Sequence, residues 1–162
     1  MNEFKKIMVG LGISNYSQGI YKYSAKLASA LNAELIVANI INNRDVEAVS
    51  SIVSMGYEVD GDHYVEGVKK ERRDFLDKII NQEDFPRDKI KIIIKVGNPI
   101  EKLLKIIIKE NPDMIVMGPK GRTDLEHVIV GSVASKLFRR SPVTVISYKD
   151  EKLSQKLRKK IH

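Results

Sequence analysis

The chain has 162 residues, 43% apolar and 30% charged, which suits one self-sufficient core, and its lack of cysteine excludes a disulfide framework, a thiolate metal centre and a cysteine nucleophile. The formal charge is +7, and residues 149–162 hold six basic side chains against two acids, so more than half of the excess sits on the tail and the body argues against a broad nucleic-acid surface. No apolar run approaches the length of a membrane span, and Met1–Gly10 passes straight into an apolar segment without a cleavage site; no signal peptide or membrane span is expected, and a cytoplasmic location is.

Lys6–Leu11 is a short continuous apolar run, the mark of a buried strand. Ser14 offers a helix N-cap; Ile20, Tyr23, Leu27, Ala28 and Leu31 follow at helical spacing, with Asn32 as a stop. Leu35–Ile40 is a second buried run. Residues 42–64 read as a connection, with a short helix over Asp45–Val53 as one option. From Val65 a helical pattern resumes through Val68, Arg72, Phe75, Leu76 and Ile79, and Pro86 is expected to end it. Ile90, Ile92 and Ile94 alternate with Lys91, Ile93 and Lys95, which places that strand at a sheet edge.

Asn98-Pro99 opens the clearest amphipathic helix, with Ile100, Leu103, Leu104, Ile107 and Ile108 on one face and Asn111-Pro112 as its end. Met114–Met117 is a fourth strand, Gly118–Val130 a long loop, Ser132–Arg140 a helix and Val143–Ser147 a last strand. Leu153, Leu157 and Ile161 then form a stripe on a basic terminal helix. Strands alternating with helices require right-handed crossovers and a parallel sheet of five strands covered on both faces, an α/β single domain of Rossmann-like architecture. Ligands of such sheets sit beyond the carboxyl ends of the strands, where strand order reverses.

The stretch with chemical content runs from Met117 to Val133. Gly118, two residues, Gly121, nine residues, Gly131 and Ser132 connect a strand's carboxyl end to a helix amino end. Gly118 and Gly121 permit backbone conformations closed to other residues and let main-chain N–H groups approach a ligand. Gly131-Ser132 opens a helix whose free N–H groups favour an anion, the Ser132 hydroxyl adds a donor, and Lys120 and Arg122 bring positive charge. The combination describes a site for a phosphorylated ligand. The plainer alternative has the glycines only turning the chain and Ser132 only capping a helix.

This loop resembles the Gly-x2-Gly-x9-Gly-Ser/Thr nucleotide motif of the universal stress protein family. Lys6-Ile-Met-Val9, Val96–Glu101, Pro112–Gly118 and Ser141–Ile146 resemble that family in the same order, so the likeness runs to about Tyr148. It implies a family domain over 1–148 with a basic helical extension over 149–162, and strand order 3-2-1-4-5. It further implies binding of ATP, ADP or AMP, with or without Mg²⁺, and a homodimer formed through the last strand, Val143–Ser147. Carried over by position, Gly118, Gly121, Gly131 and Ser132, flanked by Met117, Lys120, Arg122 and Val133, would meet the phosphates and ribose. Gly10, Leu11 and Gly12, with the segment from Ala38 to Ile40, would hold the adenine. The family usually has Asp-Gly-Ser after its first strand, the Asp helping to hold the nucleoside; here Gly12 and Ile13 take the first two of those places.

Other chemistry is weaker. Neither a P-loop nor a dinucleotide fingerprint is present, and the third strand ends Lys95-Val-Gly97 without the Asp of a receiver domain. Asp124 and His127 lie in the loop without a nucleophile-and-orienter arrangement, so slow ATP hydrolysis ranks below nucleotide-dependent signalling through an unknown protein partner. Gly12 in the Asp place keeps open a nucleotide-independent interaction module. Asp113 begins a strand at the opposite end from the crevice and reads as structural.

Overall fold

In the computed structural model, which describes residues 3–44, 46–47, 61–119 and 131–161, the apolar runs become five strands. They are β1 (Lys6–Gly10), β2 (Glu34–Asn42), β3 (Ile90–Gly97), β4 (Met114–Met117) and β5 (Thr144–Ser147). The helices described are α1 (Ser17–Leu31), α2 (Gly61–Ile80), α3 (Pro99–Glu110), α4 (Ser132–Arg140) and α5 (Glu151–Arg158). The strand order is β3-β2-β1-β4-β5, and every neighbouring pair is parallel. From β1 the chain winds outward to β2 and β3, then returns to the other side of β1 for β4 and β5. The strand order therefore reverses between β1 and β4.

Period-two alternation divides the core between the two faces of the sheet. Ile7, Val9, Leu35, Val37, Met114 and Val116 join Ile20, Tyr21 and Ala28 of α1 and Leu76 and Ile79 of α2. Met8, Ile36, Ala38 and Ile115 join Ile100, Leu103 and Ile107 of α3 and Leu137 of α4 on the other face. Burying each large aliphatic side chain is worth roughly 1.5–3 kcal/mol, which is why these runs choose the centre of the sheet. β3 is an edge strand, as its lysine alternation predicts, with Lys91 and Lys95 exposed.

The helix ends follow local chemistry. Asn98 caps α3, its side chain accepting from the Glu101 N–H at 3.2 Å, with Pro99 in the first turn. Asn32 and Asn111 end α1 and α3 in the left-handed region, φ 51° and 49°, a conformation asparagine tolerates better than most residues. Asp113 fastens the amino ends of the strands, where its Oδ2 accepts from the Lys5 and Lys6 N–H groups at 2.6 and 2.9 Å.

Several sequence expectations are corrected. Ser14 does not cap α1: its hydroxyl accepts from the Tyr16 N–H at 3.2 Å in a preceding turn, and the cap position falls to Tyr16. α2 starts at Gly61 rather than Val65, because its polar first turn carries no apolar period. It ends at Ile80, well before Pro86, which instead precedes a 3-10 turn over Arg87–Lys89. β5 begins at Thr144, since the Ser141 hydroxyl engages both the Val143 N–H and its carbonyl before β4 can. Ile161 lies beyond α5 and is 77% exposed, so it is no part of an apolar stripe. The Asp45–Val53 helix falls mainly outside the described residues.

Candidate functional site

The carboxyl ends of β1 and β4 meet through Gly10 and Met117. Gly10 lies beside Met117 and Leu103, where a Cβ would make ordinary contacts 3.6 Å from Met117 Cγ and 3.9 Å from Leu103 Cδ2. Leu11 is buried and extends the pairing with β2, its N–H donating to the Ala38 carbonyl at 2.9 Å. Gly12 is exposed, and a Cβ built there meets nothing within 4 Å. Ala38 and half-buried Ile40 belong to the face shared with α3 and α4. Gly118 follows β4 and is buried.

The loop after β4 leaves and returns at one point, because the Gly131 N–H donates to the Pro119 carbonyl at 2.6 Å. Gly131 is the N-cap of α4 and has no side chain to cap with. The first intrahelical bond runs from the Ser135 N–H to the Gly131 carbonyl at 3.0 Å, so the N–H groups of Ser132, Val133 and Ala134 have no partner within the helix. No acidic residue occupies the first turn of α4 or of α1, so neither helix offsets the positive end of its own dipole from within that turn. Ser132 is the first helical residue and exposed, not the cap.

Backbone freedom is not why the described glycines stand at this site. Among the described residues the glycine at positive φ is Gly97, at 152° on the far edge, while Gly131 has φ −69°, open to any residue. Nor does crowding among the described residues require them: a Cβ would make ordinary contacts at Gly10 and meet nothing within 4 Å at Gly12. Lys120, Gly121 and Arg122, with Asp124 and His127, lie outside the described residues.

The rims are built from both sides. On the α1 side a cavity of about 40 Å³ lies among Tyr16, Ile20, Pro119, Tyr148, Asp150 and Leu153. Tyr148 stacks on Tyr23 with ring centres 4.9 Å apart, crosses α1 where Gly19 has no side chain, and donates its N–H to the Met117 carbonyl at 2.8 Å. On the α4 side a groove of about 460 Å³ runs past Gly118, Ser135, Phe138, Arg139 and Val145. Phe138 is 74% exposed there.

From sequence alone, Asn39 receives no role of its own within the segment from Ala38 to Ile40. It is 1% exposed, and its Nδ2 donates to the Leu11 carbonyl at 2.6 Å while Arg72 Nη1 donates to its Oδ1 at 3.4 Å. The signal was available: one amide inside the apolar run Leu35–Ile41 must find partners once buried. Among the described residues no three acidic or histidine side chains gather as a metal site, and no helix is long and apolar enough to cross a membrane.

The sequence profile of the Universal stress protein family matches residues 3–149. Universal stress protein MJ0577 of Methanocaldococcus jannaschii is 29% identical over 158 residues, spanning 91% of this chain and 97% of its own. The solved structure of MJ0577 aligns with a TM-score of 0.71 over 93% of this chain and 99% of that one, at 24% identity. A universal stress protein solved in complex with cAMP is 20% identical with a TM-score of 0.59, covering 91% of this chain and 98% of that chain. One from Archaeoglobus fulgidus in complex with dAMP is 16% identical with a TM-score of 0.60, covering 91% and 100%. The chain belongs to the universal stress protein family.

Proposed function

We propose, with that membership as the premise, that this protein binds ATP or a related adenine nucleotide, ADP or AMP, where β1 and β4 diverge. It then acts in the cytoplasm as a stress-response protein, through conformation or a protein partner rather than rapid turnover. The observation that carries the reading is the convergence at the strand reversal: the first-turn amides of α4, which have no partner within the helix, buried Gly118 and open Gly12 lie at one end of the sheet, with no acid in the first turn of either neighbouring helix. Relatives of the same fold solved with cAMP and dAMP support an adenine nucleotide as the ligand class.

In this reading Gly118, Gly131, Ser132 and Val133, with Gly121 and the charges of Lys120 and Arg122, take the phosphates and ribose. Gly10, Leu11, Gly12, Ala38 and Ile40 line the adenine side, and Met117 leads into the phosphate loop. The described residues offer no ligand set for Mg²⁺, so an ion would arrive with the phosphates. Dimerisation through the last strand belongs to the same proposal, because β5 is an edge strand with Phe138 exposed beside it. The tail after Tyr148 is an extension of the 1–148 domain.

The test is Gly131→Val, which keeps an allowed backbone at φ −69° but sets a branched side chain beside the first-turn amides of α4. A folded variant is expected to lose ATP binding by at least about tenfold, the worth of one good charged hydrogen bond. Unchanged affinity would exclude this helix end as the phosphate site.

A further inference from the structure

Residues 132–162 carry nine basic side chains against two acids, which is the whole +7 of the chain, so residues 1–131 balance. Six of the nine lie on the terminal segment: Lys149, Lys152, Lys156, Arg158, Lys159 and Lys160. All six are exposed, and none joins an ion pair among the described residues. The two acids are engaged in the first turn of α5. Asp150 Oδ1 accepts from the Leu153 N–H at 2.7 Å as the N-cap, and Glu151 Oε1 accepts from Gln155 Nε2 at 3.0 Å. No acid follows Glu151 in the chain. Lys152, Lys156 and Lys159 recur at i, i+4 and i+7, one face of the helix and its closing residue. Leu153 and Leu157 are half-buried, and Leu153 lines the cavity with Tyr16, Ile20 and Tyr148.

Magnitudes decide which anion such a surface suits. An exposed ion pair with a protein carboxylate gains about fivefold in affinity at most, because both partners are screened and flexible. A bilayer surface asks for an apolar face as well as cations, and here the leucines are half-covered and no Phe, Tyr or Trp follows Tyr148. A single strand asks for aromatic platforms on which bases stack, and the same lack counts against it. A duplex asks only for cations: its phosphates, one per about 1.7 Å of axis, hold condensed counterions, and each one that a lysine displaces adds affinity without a groove or a stacking ring. We infer that the basic side of the terminal helix, from Lys149 to Lys160, is a docking surface for the phosphate backbone of duplex DNA, read without regard to sequence. The surface is local, because residues 1–131 carry no excess charge. Binding there needs no nucleotide in the crevice.

The experiment is fluorescence anisotropy of a labelled mixed-sequence DNA duplex titrated with the full-length protein across about 50 to 200 mM salt. The native chain is expected to bind, with log affinity falling against log salt at a slope of about −4 to −5, the mark of about five phosphate contacts. Lys156→Gln, Lys159→Gln and Lys160→Gln together are expected to weaken binding and to make the slope shallower by about three. A control removes the same charge elsewhere. Lys136→Gln, Arg139→Gln and Arg140→Gln lie on α4, whose Leu137 belongs to the core of the opposite face from Ile20, and together they are expected to keep the native slope. All six side chains are exposed, so both variants are expected to fold. If the tail variant does not fold, Lys159→Gln alone decides, with a slope shallower by about one expected and an unchanged slope against the assignment. An equal loss in the α4 variant would show that net charge rather than this helix does the binding, and would overturn the inference, as would no binding at the lowest salt. Tighter binding to a single strand, to polyglutamate or to phosphatidylglycerol vesicles than to the duplex would overturn it too, and would assign the surface to that class instead.

Discussion

Tyr21 shows what a single buried polar atom does to this fold. Its side chain is fully buried, and its hydroxyl has no hydrogen-bond partner among the described residues. Burial pushes its pKa from 10.0 up to about 12, with Arg87 drawing it down and Glu83 raising it. An unsatisfied buried hydroxyl costs about 1–3 kcal/mol, so Tyr21→Phe is expected to stabilise the protein by about 1 kcal/mol in urea unfolding. A loss of stability would show that the hydroxyl has a partner. The pH dependence has a definite sign. An unfolded tyrosine ionises near 10.0 and the folded one near 12, so the folded state holds its proton more tightly. The stability linked to that proton is complete below pH 10.0 and drains away as pH rises toward 12. Tyr21→Phe should remove that part of the alkaline decline in melting temperature. Asn39 teaches the complementary lesson. Its position in the chain was legible as an amide inside an apolar run, but its partners, Leu11 and Arg72, are set only by how the strands and α2 come together.

Among the elements, those whose boundaries are fixed by local chemistry were legible. Asn98-Pro99 and the two left-handed asparagines mark their helix ends by side-chain geometry that needs no tertiary partner. Asn98→Ala is accordingly expected to cost about 1 kcal/mol in urea unfolding, and no change would mean the cap contributes nothing. Boundaries decided by competition were not legible. Ser14 spends its hydroxyl on a turn, Ser141 detains Val143, and the first turn of α2 forms without apolar residues. The terminal helix α5 has no buried residue, Leu153 lines the cavity beside Tyr148, and Ile161 is exposed beyond the helix end, so the apolar stripe is shorter than its sequence period suggests. At the opposite edge from β3, pairing of β5 with a second copy would satisfy its free backbone side. Sedimentation of the native chain is expected to give a dimer, and Val145→Lys a folded monomer; a monomeric native chain would contradict the pairing.

Over the whole molecule, alternation of strand and helix periods announced a parallel sheet, and the family likeness supplied its order. The proposed site is legible as a pattern because a strand's carboxyl end, spaced glycines and a helix amino end are consecutive in the chain. What joins them in space was not: the bond from Gly131 to Pro119 and the rim lined by Tyr148 and Leu153 come from folding. The charge divides in the same way, with the body nearly balanced and the tail strongly basic.

Whether the end of the sheet where β1 and β4 part grips an adenine nucleotide is decided most directly by calorimetric titration of the native protein with ATP, ADP and AMP. Saturable heat at one site per chain, with a melting temperature that climbs with nucleotide concentration, is the result expected. No heat from any of the three at millimolar concentration would contradict the nucleotide reading and leave only the architecture.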